Sequence, residues 1–369
     1  HLIFIVKIKN NMRVCIIGAG LSSYTLAKAL VNQNIYVDIV SQKKINLLDK
    51  SRTIGISKSN IDFFNNSIIN LDKISWKLKK IEIFTENLSK QKLLNFENNK
   101  TELFSILKNY RLYELLEKSL SKSKYFKKIN LKKKFDLIKN YNLVINTEYS
   151  NYITKKYFDK NIIKKYNAIA YTSIIHHQKV QNDVAIQIFT KRGPLAFLPI
   201  SNSETSVVYS LHKLNREKDI DIINLINKYN FKYKIKKLNQ VKSFELKSLS
   251  LRSYFHNNIL AFGDLLHRIH PLAGQGFNMT IRDIKIFLDI LENKRNLGLS
   301  LDSSVNLELE KEIKHKNFIF SNGIDLIYEF FNIERKMNTS ILSKSIQLIG
   351  KNPSINKLFT KIADRGVTL

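Results

Sequence analysis

The sequence predicts an α/β protein: a β-α-β unit at the start, an antiparallel sheet in the middle and helices towards the end. Three observations carry this reading. A short apolar run at 14–17 ends in Gly18-Ala19-Gly20 and leads into helical periodicity. Between 167 and 211, four short strand-like runs are separated by turn residues. Beyond Gly276 the apolar spacing is helical almost throughout.

The elements follow in order. Residues 14–17 read VCII, a run suited to a strand buried on both faces. Residues 21–32 form a helix with Leu26, Ala27, Leu30 and Val31 on one side, and 35–40 a second strand. Ser57 is placed to cap a helix carrying Ile61, Phe63 and Phe64. Residues 78–84 alternate as a strand, Asn109 is placed to cap a helix through Leu112, Leu115, Leu116 and Leu120, and 143–146 form another buried strand. The middle sheet is expected at 168–175, 184–189, 195–198 and 206–211, broken by Gly193-Pro194 and Ser201-Asn202-Ser203. A helix at 219–229 and a buried strand at 259–262 precede the helical end, whose long stretch runs over 303–331. Residues 12–70, 100–165 and 250–300 are expected to form one discontinuous domain, 71–99 and 166–249 a second inserted into it, and 301–369 a helical region.

Composition narrows the function classes. The chain has 369 residues, 44% of them hydrophobic, which is ample for a core. Lys and Arg number 61 against 31 Asp and Glu, a net charge of +30. The excess is mostly Lys, scattered with Asn and Ile along the whole chain, which argues for solvated faces and against a nucleic-acid surface that would gather Arg and stacking aromatics. One cysteine excludes an internal disulfide framework and suits a reducing compartment. No apolar run reaches the roughly 18 residues of a membrane-spanning helix. Met12 directly precedes the first strand and is read as the natural start, so residues 1–11 contribute nothing to the predicted fold.

Glycine is scarce, so its placement is informative. Five of eleven glycines fall in GAG at 18–20 and GDLLHRIHPLAGQG at 263–276. The first segment joins a strand to a helix, as a Rossmann-like dinucleotide fingerprint requires: Gly18 for the tight turn, Gly20 for close approach of a diphosphate to the backbone. The third glycine position holds Ser23, and Ser41-Gln42 stand where an acid on the ribose is expected. In the second segment Asp264 ends a buried strand, Pro271 stiffens the loop, and Gly274 and Gly276 free the backbone before a helix N-terminus. His267 and His270 lack nearby partners for a metal and are expected to pack and hydrogen-bond around the loop. Cys15 is expected to pack as a small hydrophobe.

These segments, with SRTIGIS at 51–57, GPLAFLP at 193–199 and GDLLHRIHPLAGQGFNMTIRD at 263–283, resemble the FAD-dependent aromatic-ring monooxygenases, in particular the branch of ubiquinone-biosynthesis hydroxylases. The resemblance spans roughly residues 12–340. It implies the para-hydroxybenzoate hydroxylase fold: a Rossmann-like FAD-binding domain, an inserted antiparallel substrate sheet and C-terminal helices. It implies that Gly18, Gly20 and Ser23 border the FAD diphosphate and that Arg52 and Arg111 contact the cofactor. Asp264 would bind its hydroxyls, and Pro271, Gly274, Gln275, Gly276 and Asn278 would line the isoalloxazine. The implied reaction hydroxylates the ring of a polyprenylated phenol, using NAD(P)H and O2 through a flavin C4a-hydroperoxide. No metal and no nucleic acid are expected. An Asp-Gly followed by Arg, which the resemblance calls for near 144–156, is replaced by Asn146-Thr147-Glu148-Tyr149. These departures keep two other readings open: a flavin-fold protein without turnover, acting as an assembly or lipid-binding subunit, and a related flavin oxidoreductase with another aromatic or prenyl substrate. His176, His177 and Tyr209 stand as candidates for a base on the substrate sheet. The expected location is cytoplasmic, with peripheral attachment at the inner membrane face and contact with ubiquinone-pathway proteins as further expectations. The basic amphipathic stretch at 340–362 is the segment expected to touch lipid.

Overall fold

A computed structural model describes residues 12–41, 50–88, 91–97, 102–130, 140–213, 221–270, 274–337 and 339–366. Residues 1–11 and Gln42 lie outside them, as does Pro271.

The first sheet has six strands in the order Phe255–His256, Ile259–Ala261, Leu143–Asn146, Arg13–Ile17, Tyr36–Ser41, Phe126–Asn130. All of its pairings are parallel except the edge hairpin of Phe255–His256 with Ile259–Ala261. Val14, Ile16, Leu143, Ile145 and Leu260 are fully buried or nearly so, which is why these runs are apolar without alternation. Helix Leu21–Asn32 buries Leu26, Ala27, Leu30 and Val31, the side expected from its spacing. Its Tyr24 ring lies 4.5 Å from Tyr113 of helix Asn109–Leu120. Cys15 is buried in the first strand, and burial together with the nearby Asp38 carboxylate pushes its thiol up to about 12.

The second sheet runs His267–Arg268, Lys242–Leu251, Asn161–His177, Glu204–His212, Gly193–Pro199, Val184–Thr190, Lys80–Thr85, Lys92–Glu97, with Ile235–Leu238 also paired to Asn161–His177. It is not wholly antiparallel: Val184–Thr190 and Lys80–Thr85 pair in parallel. A third sheet joins Thr53–Ser57, Phe104–Lys108 and Ser75–Leu78. The alternating run at 78–84 is therefore two strands in two sheets, divided at Lys79. Alternation marks a strand but does not say which sheet it joins.

Other departures have local causes. Gly193 and Pro194 open a strand rather than end one. Gly193 has φ +132°, and a Cβ there would sit 2.0 Å from the Ser210 carbonyl oxygen of the neighbouring strand. The hairpin turn is Lys191-Arg192, closed by the Thr190–Gly193 pair. Asn109 is the first residue of its helix, preceded by Lys108 in extended conformation without a side-chain cap. Ser57 does precede helix Lys58–Ser67, but its hydroxyl donates to the Asp364 carbonyl at 2.8 Å rather than accepting from the helix. Helices Gln275–Asn296, Ser304–Met337, Ile341–Gly350 and Pro353–Arg365 complete the chain.

Candidate functional site: the crest of the parallel sheet

Strands Arg13–Ile17, Tyr36–Ser41, Leu143–Asn146 and Ile259–Ala261 run the same way, so their C-terminal ends share one edge. The chain leaves the first strand towards Tyr36–Ser41 and later returns to its other side with Leu143–Asn146. That reversal is a switch point, where open α/β sheets bind ligands. Gly18 stands on it with φ +118°, and its N–H donates to the Val40 carbonyl at 2.9 Å. A Cβ at Gly18 would lie 2.2 Å from Thr147 Oγ1, so the glycine is required by the chain's own crossing loop. Gly20 differs: it precedes helix Leu21–Asn32 in extended conformation, and nothing lies within 4 Å of a Cβ built there. No side chain caps this helix and its first turn holds no acid. Its N–H groups and positive dipole end are left for an anion, with open space at Gly20 to admit one.

Ser23 is fully buried and hydrogen-bonds Thr147 Oγ1 at 2.8 Å, while Thr147 Oγ1 donates to the Ile17 carbonyl at 3.0 Å. The third fingerprint position thus joins helix to crossing loop through hydroxyls, and does not open onto the crest. Beyond it, Asn146, Asn151 and Thr154 form a buried network in place of the missing Asp-Gly. Asn151 Nδ2 donates to Asn146 Oδ1 at 2.7 Å, Asn146 Nδ2 to Thr154 Oγ1 at 2.8 Å, and Thr154 Oγ1 to the Glu148 carbonyl at 2.6 Å. Tyr149 is exposed at the tip of this loop.

The second glycine segment meets the first. Gly263, with φ +64°, lies so close to Ser22 that an added Cβ would be 2.8 Å from Ser22 Cβ. Asp264 follows it, exposed, and no described residue pairs with its carboxylate. The acid therefore sits beside the uncapped helix end, free to accept from a ligand. Further on, Gly274 has φ +63° and precedes helix Gln275–Asn296, again without a side-chain cap. Gln275 Oε1 and both His270 ring nitrogens are buried with no partner. Buried polar atoms are almost always bonded, and a polar ligand at this turn would supply the partners these lack.

Asn278 is fully buried and all four hydrogen-bonding positions of its amide are engaged by the chain. Nδ2 donates to the Gly55 carbonyl at 2.9 Å and the Gly274 carbonyl at 3.2 Å, and Oδ1 accepts from Ser57 N at 2.9 Å and Asn60 Nδ2 at 2.8 Å. It brackets the glycine turn to strand Thr53–Ser57. The sequence reading missed Gly55 and Asn60, although Gly55 lies inside SRTIGIS. Arg52 is exposed, its guanidinium 5.3 Å from the Phe244 ring of the large sheet. Arg111 lines a cavity of about 160 Å³ with Ile74, Ile106, Lys108, Ile200 and Glu204. A second cavity, of about 380 Å³ and lined by Arg13, Tyr36 and Phe126, lies at the opposite edge of the parallel sheet and holds none of the predicted site residues.

The base candidates are all hydrogen-bonded inside the protein. His176 Nε2 meets Asn239 Oδ1 at 3.1 Å, and His177 meets the Gln178 carbonyl at 2.8 Å and Thr205 Oγ1 at 3.0 Å. Tyr209 is fully buried, 2.9 Å from Thr190 Oγ1, and burial raises its phenol to about 12. His267 behaves as expected, with Nε2 2.7 Å from Asp283 Oδ2. His270 packs between Tyr166 and Tyr328, with centroids at 5.0 and 4.3 Å, but its ring nitrogens make no hydrogen bond. Burial, then His212 and Lys164, lowers its pKa to about 3, so the ring is neutral. No group of three or more metal-ligating side chains occurs among the described residues.

Fold and crest together define a protein with the architecture of the FAD-dependent aromatic-ring monooxygenases. A family model described as FAD binding domain matches residues 166–292. Within that class the chain is similar to the ubiquinone-biosynthesis hydroxylases. It is 31% identical over 158 residues to 3-demethoxyubiquinol 3-hydroxylase of Escherichia coli K12, a match covering 41% of this chain and 40% of the relative. It is 26% identical over 199 residues to the mitochondrial ubiquinone biosynthesis monooxygenase COQ6 of Xenopus tropicalis, covering 43% of each. The chain spans about two fifths of the length of these curated relatives. Klebsiella pneumoniae HpxO, crystallised with FAD and uric acid, superposes with a TM-score of 0.74 over 96% of this chain and 98% of that one, at 10% identity.

Proposed function

We propose that this chain is an FAD-dependent monooxygenase that hydroxylates the aromatic ring of a polyprenylated phenol in ubiquinone biosynthesis, with NAD(P)H and O2 as co-substrates. The observation that carries the reading is the meeting of the two glycine segments on one crest. Gly263 packs on Ser22, which sets the unpaired Asp264 carboxylate beside an uncapped helix N-terminus with open space at Gly20. The residues present fit the cofactor. Gly20 and the first turn of Leu21–Asn32 would hold its diphosphate, Asp264 its hydroxyls, and Gly274, Gln275 and Gly276 its ring system, with Arg52 near by. When bound, FAD supplies electron uptake from a nicotinamide nucleotide and activation of O2. The chain's own part is to bind, orient and keep the ring dry. Ser23 and Asn278 hold the two glycine turns in place, and the large sheet supplies the wall on which a phenol would lie. A substrate with a long prenyl tail would be met at a membrane surface, since exposing the tail to water costs about 25 cal/mol per Å².

The reading without turnover has one observation in its favour: His176, His177 and Tyr209, the groups available to activate a phenol on the sheet, are all tied into the protein's own hydrogen bonds. The visible spectrum of the purified protein, followed by addition of NADPH under argon, decides between them. Yellow flavin absorbance that bleaches supports the enzyme; absorbance that does not bleach, or failure to take up added FAD, overturns the enzyme and supports the flavin-fold protein without turnover.

A further inference from the structure

We propose that the helical end of the chain docks on an anionic lipid bilayer, and that the docking face is an outward stripe of helix Ser304–Met337 continued onto helix Ile341–Gly350. The inference deepens the function proposed above, on which its purpose rests, although its geometry does not depend on a flavin. Helix Ser304–Met337 is apolar on two sides. One side packs inward through Ile313, Phe320, Ile324 and Tyr328, all buried. The other carries Phe318, Leu326, Ile333 and Met337, spaced by eight, seven and four residues, so that all return to one face at 3.6 residues per turn. They span about 29 Å of helix at 1.5 Å per residue. Ile341 and Leu348 follow on the next helix, and all six side chains are 50–71% exposed. Single exposed apolar residues need no explanation, but a stripe of this length does.

Charge selects the occupant. Residues 339–366 hold Lys344, Lys351, Lys357, Lys361 and Arg365 against one carboxylate, Asp364, which already accepts from Ser59 N at 2.8 Å. The acids of the long helix are likewise engaged within the protein. Glu329 lies 3.1 Å from Lys164, Asp325 accepts from the Tyr166 hydroxyl, and Glu334 is buried against Ser343. Lys344 and Lys351 are exposed, with no carboxylate partner among the described residues, and Lys336, also exposed, shares Glu329 with Lys164. A second copy of a +30 chain would bring like charges together across this face. Nucleic acid would satisfy the lysines and leave the apolar stripe in water. An anionic headgroup layer over an apolar interior satisfies both.

Flotation of the purified full-length chain with phosphatidylcholine vesicles, with and without phosphatidylglycerol, tests the proposal. Binding is expected only where phosphatidylglycerol is present, falling as salt rises, because the Debye length shortens from about 10 Å at 0.1 M. Leu326→Glu with Ile333→Glu is expected to lower partition at least about tenfold, and Lys336→Glu with Lys344→Glu by a similar factor. All four positions are exposed, so circular dichroism and thermal midpoint should be unchanged. Equal binding to neutral vesicles, or none to anionic vesicles at low salt, overturns the proposal. So does a dimer in sedimentation that the Leu326→Glu and Ile333→Glu variant dissolves, since the stripe is then a contact between copies. Vesicle binding by a protein that takes up no flavin would overturn the enzymatic reading and leave the docking face standing.

Discussion

Replacing Asn278 with alanine tests whether this residue holds the second glycine turn in place. The side chain is fully buried and makes four hydrogen bonds, to Ser57 N, Asn60 Nδ2 and the carbonyls of Gly55 and Gly274. Each neutral bond contributes about 1 kcal/mol net, and a buried donor or acceptor left without a partner costs about 1–3 kcal/mol. Asn60 can turn its amide elsewhere, whereas Ser57 N and the two carbonyls are backbone groups fixed by a strand and by a glycine at φ +63°. The expected loss is therefore about 3–5 kcal/mol, read by equilibrium urea unfolding of purified protein. Asn278→Asp refines the test. It keeps the acceptor towards Ser57 N and Asn60 but turns an oxygen towards two carbonyls, so it should be at least as damaging at neutral pH. A loss below about 1 kcal/mol for Asn278→Ala would refute the bracket, and flavin diminished in that same stable variant would return Asn278 to direct contact with the cofactor.

Four further outcomes are expected. Gly20→Val should fold normally, since nothing lies within 4 Å of the added Cβ, yet lose its yellow absorbance, because the valine fills the approach to the helix end; absorbance kept undiminished would remove the diphosphate site. Gly18→Ala should fail the other way, expressing poorly or unfolding early in urea whatever FAD is added, because its φ is +118° and Thr147 Oγ1 stands 2.2 Å from the new Cβ. Asp264→Ala should leave the urea midpoint in place, the carboxylate being exposed, and weaken FAD by about 1.5–3 kcal/mol in a titration of apo-protein. His270→Phe should flatten the acid limb of stability: the unfolded imidazole takes a proton near pH 6.5 and the folded one only near 3, so across that window the unfolded chain binds more protons and wild type loses up to about 1.4 kcal/mol per pH unit on acidification. An unchanged difference between the two proteins from pH 6.5 to pH 4 would show that His270 titrates normally.

The fold was legible where the chain's own periodicity sets the structure. Helix Leu21–Asn32 and strand Leu143–Asn146 lie where their spacing places them, because each packs against one continuous core. What was not legible depends on partners distant in sequence. Strand Thr53–Ser57 carries no signal of its own. It exists because Phe104–Lys108 pairs with it and because Asn278, more than 200 residues away, bonds its Gly55 and Ser57. Ser57 looked like a helix cap by local rules, yet its hydroxyl is taken by Asp364 at the far end of the chain. Local capping lost to a tertiary bond that no window of sequence could show.

The same contrast explains the fingerprint. Gly18, Gly20, Asp264 and Gly274 could be picked out from sequence because glycine in a glycine-poor chain, or an acid at a strand end, reflects a backbone demand that residue type alone reports. The substitutions at 23 and 146–154 looked like losses for the opposite reason: their compensation lies in pairs. A serine at the third position introduces a hydroxyl in the tightest part of the β-α turn, which would be costly if it were left unbonded. Thr147 supplies the partner and is itself anchored to the Ile17 carbonyl. Without the Asp-Gly turn, the crossing loop would lose the residue best able to bend it. Asn146, Asn151 and Thr154 bend it instead, with two amides and a hydroxyl closing on the Glu148 carbonyl. The two departures meet at Thr147 and the Asn146 loop, next to Gly18, so they are one coupled change in the crest. Restoring glycine at 23 alone should therefore not improve flavin binding, because the space it opens faces Thr147 and not the helix end at Gly20.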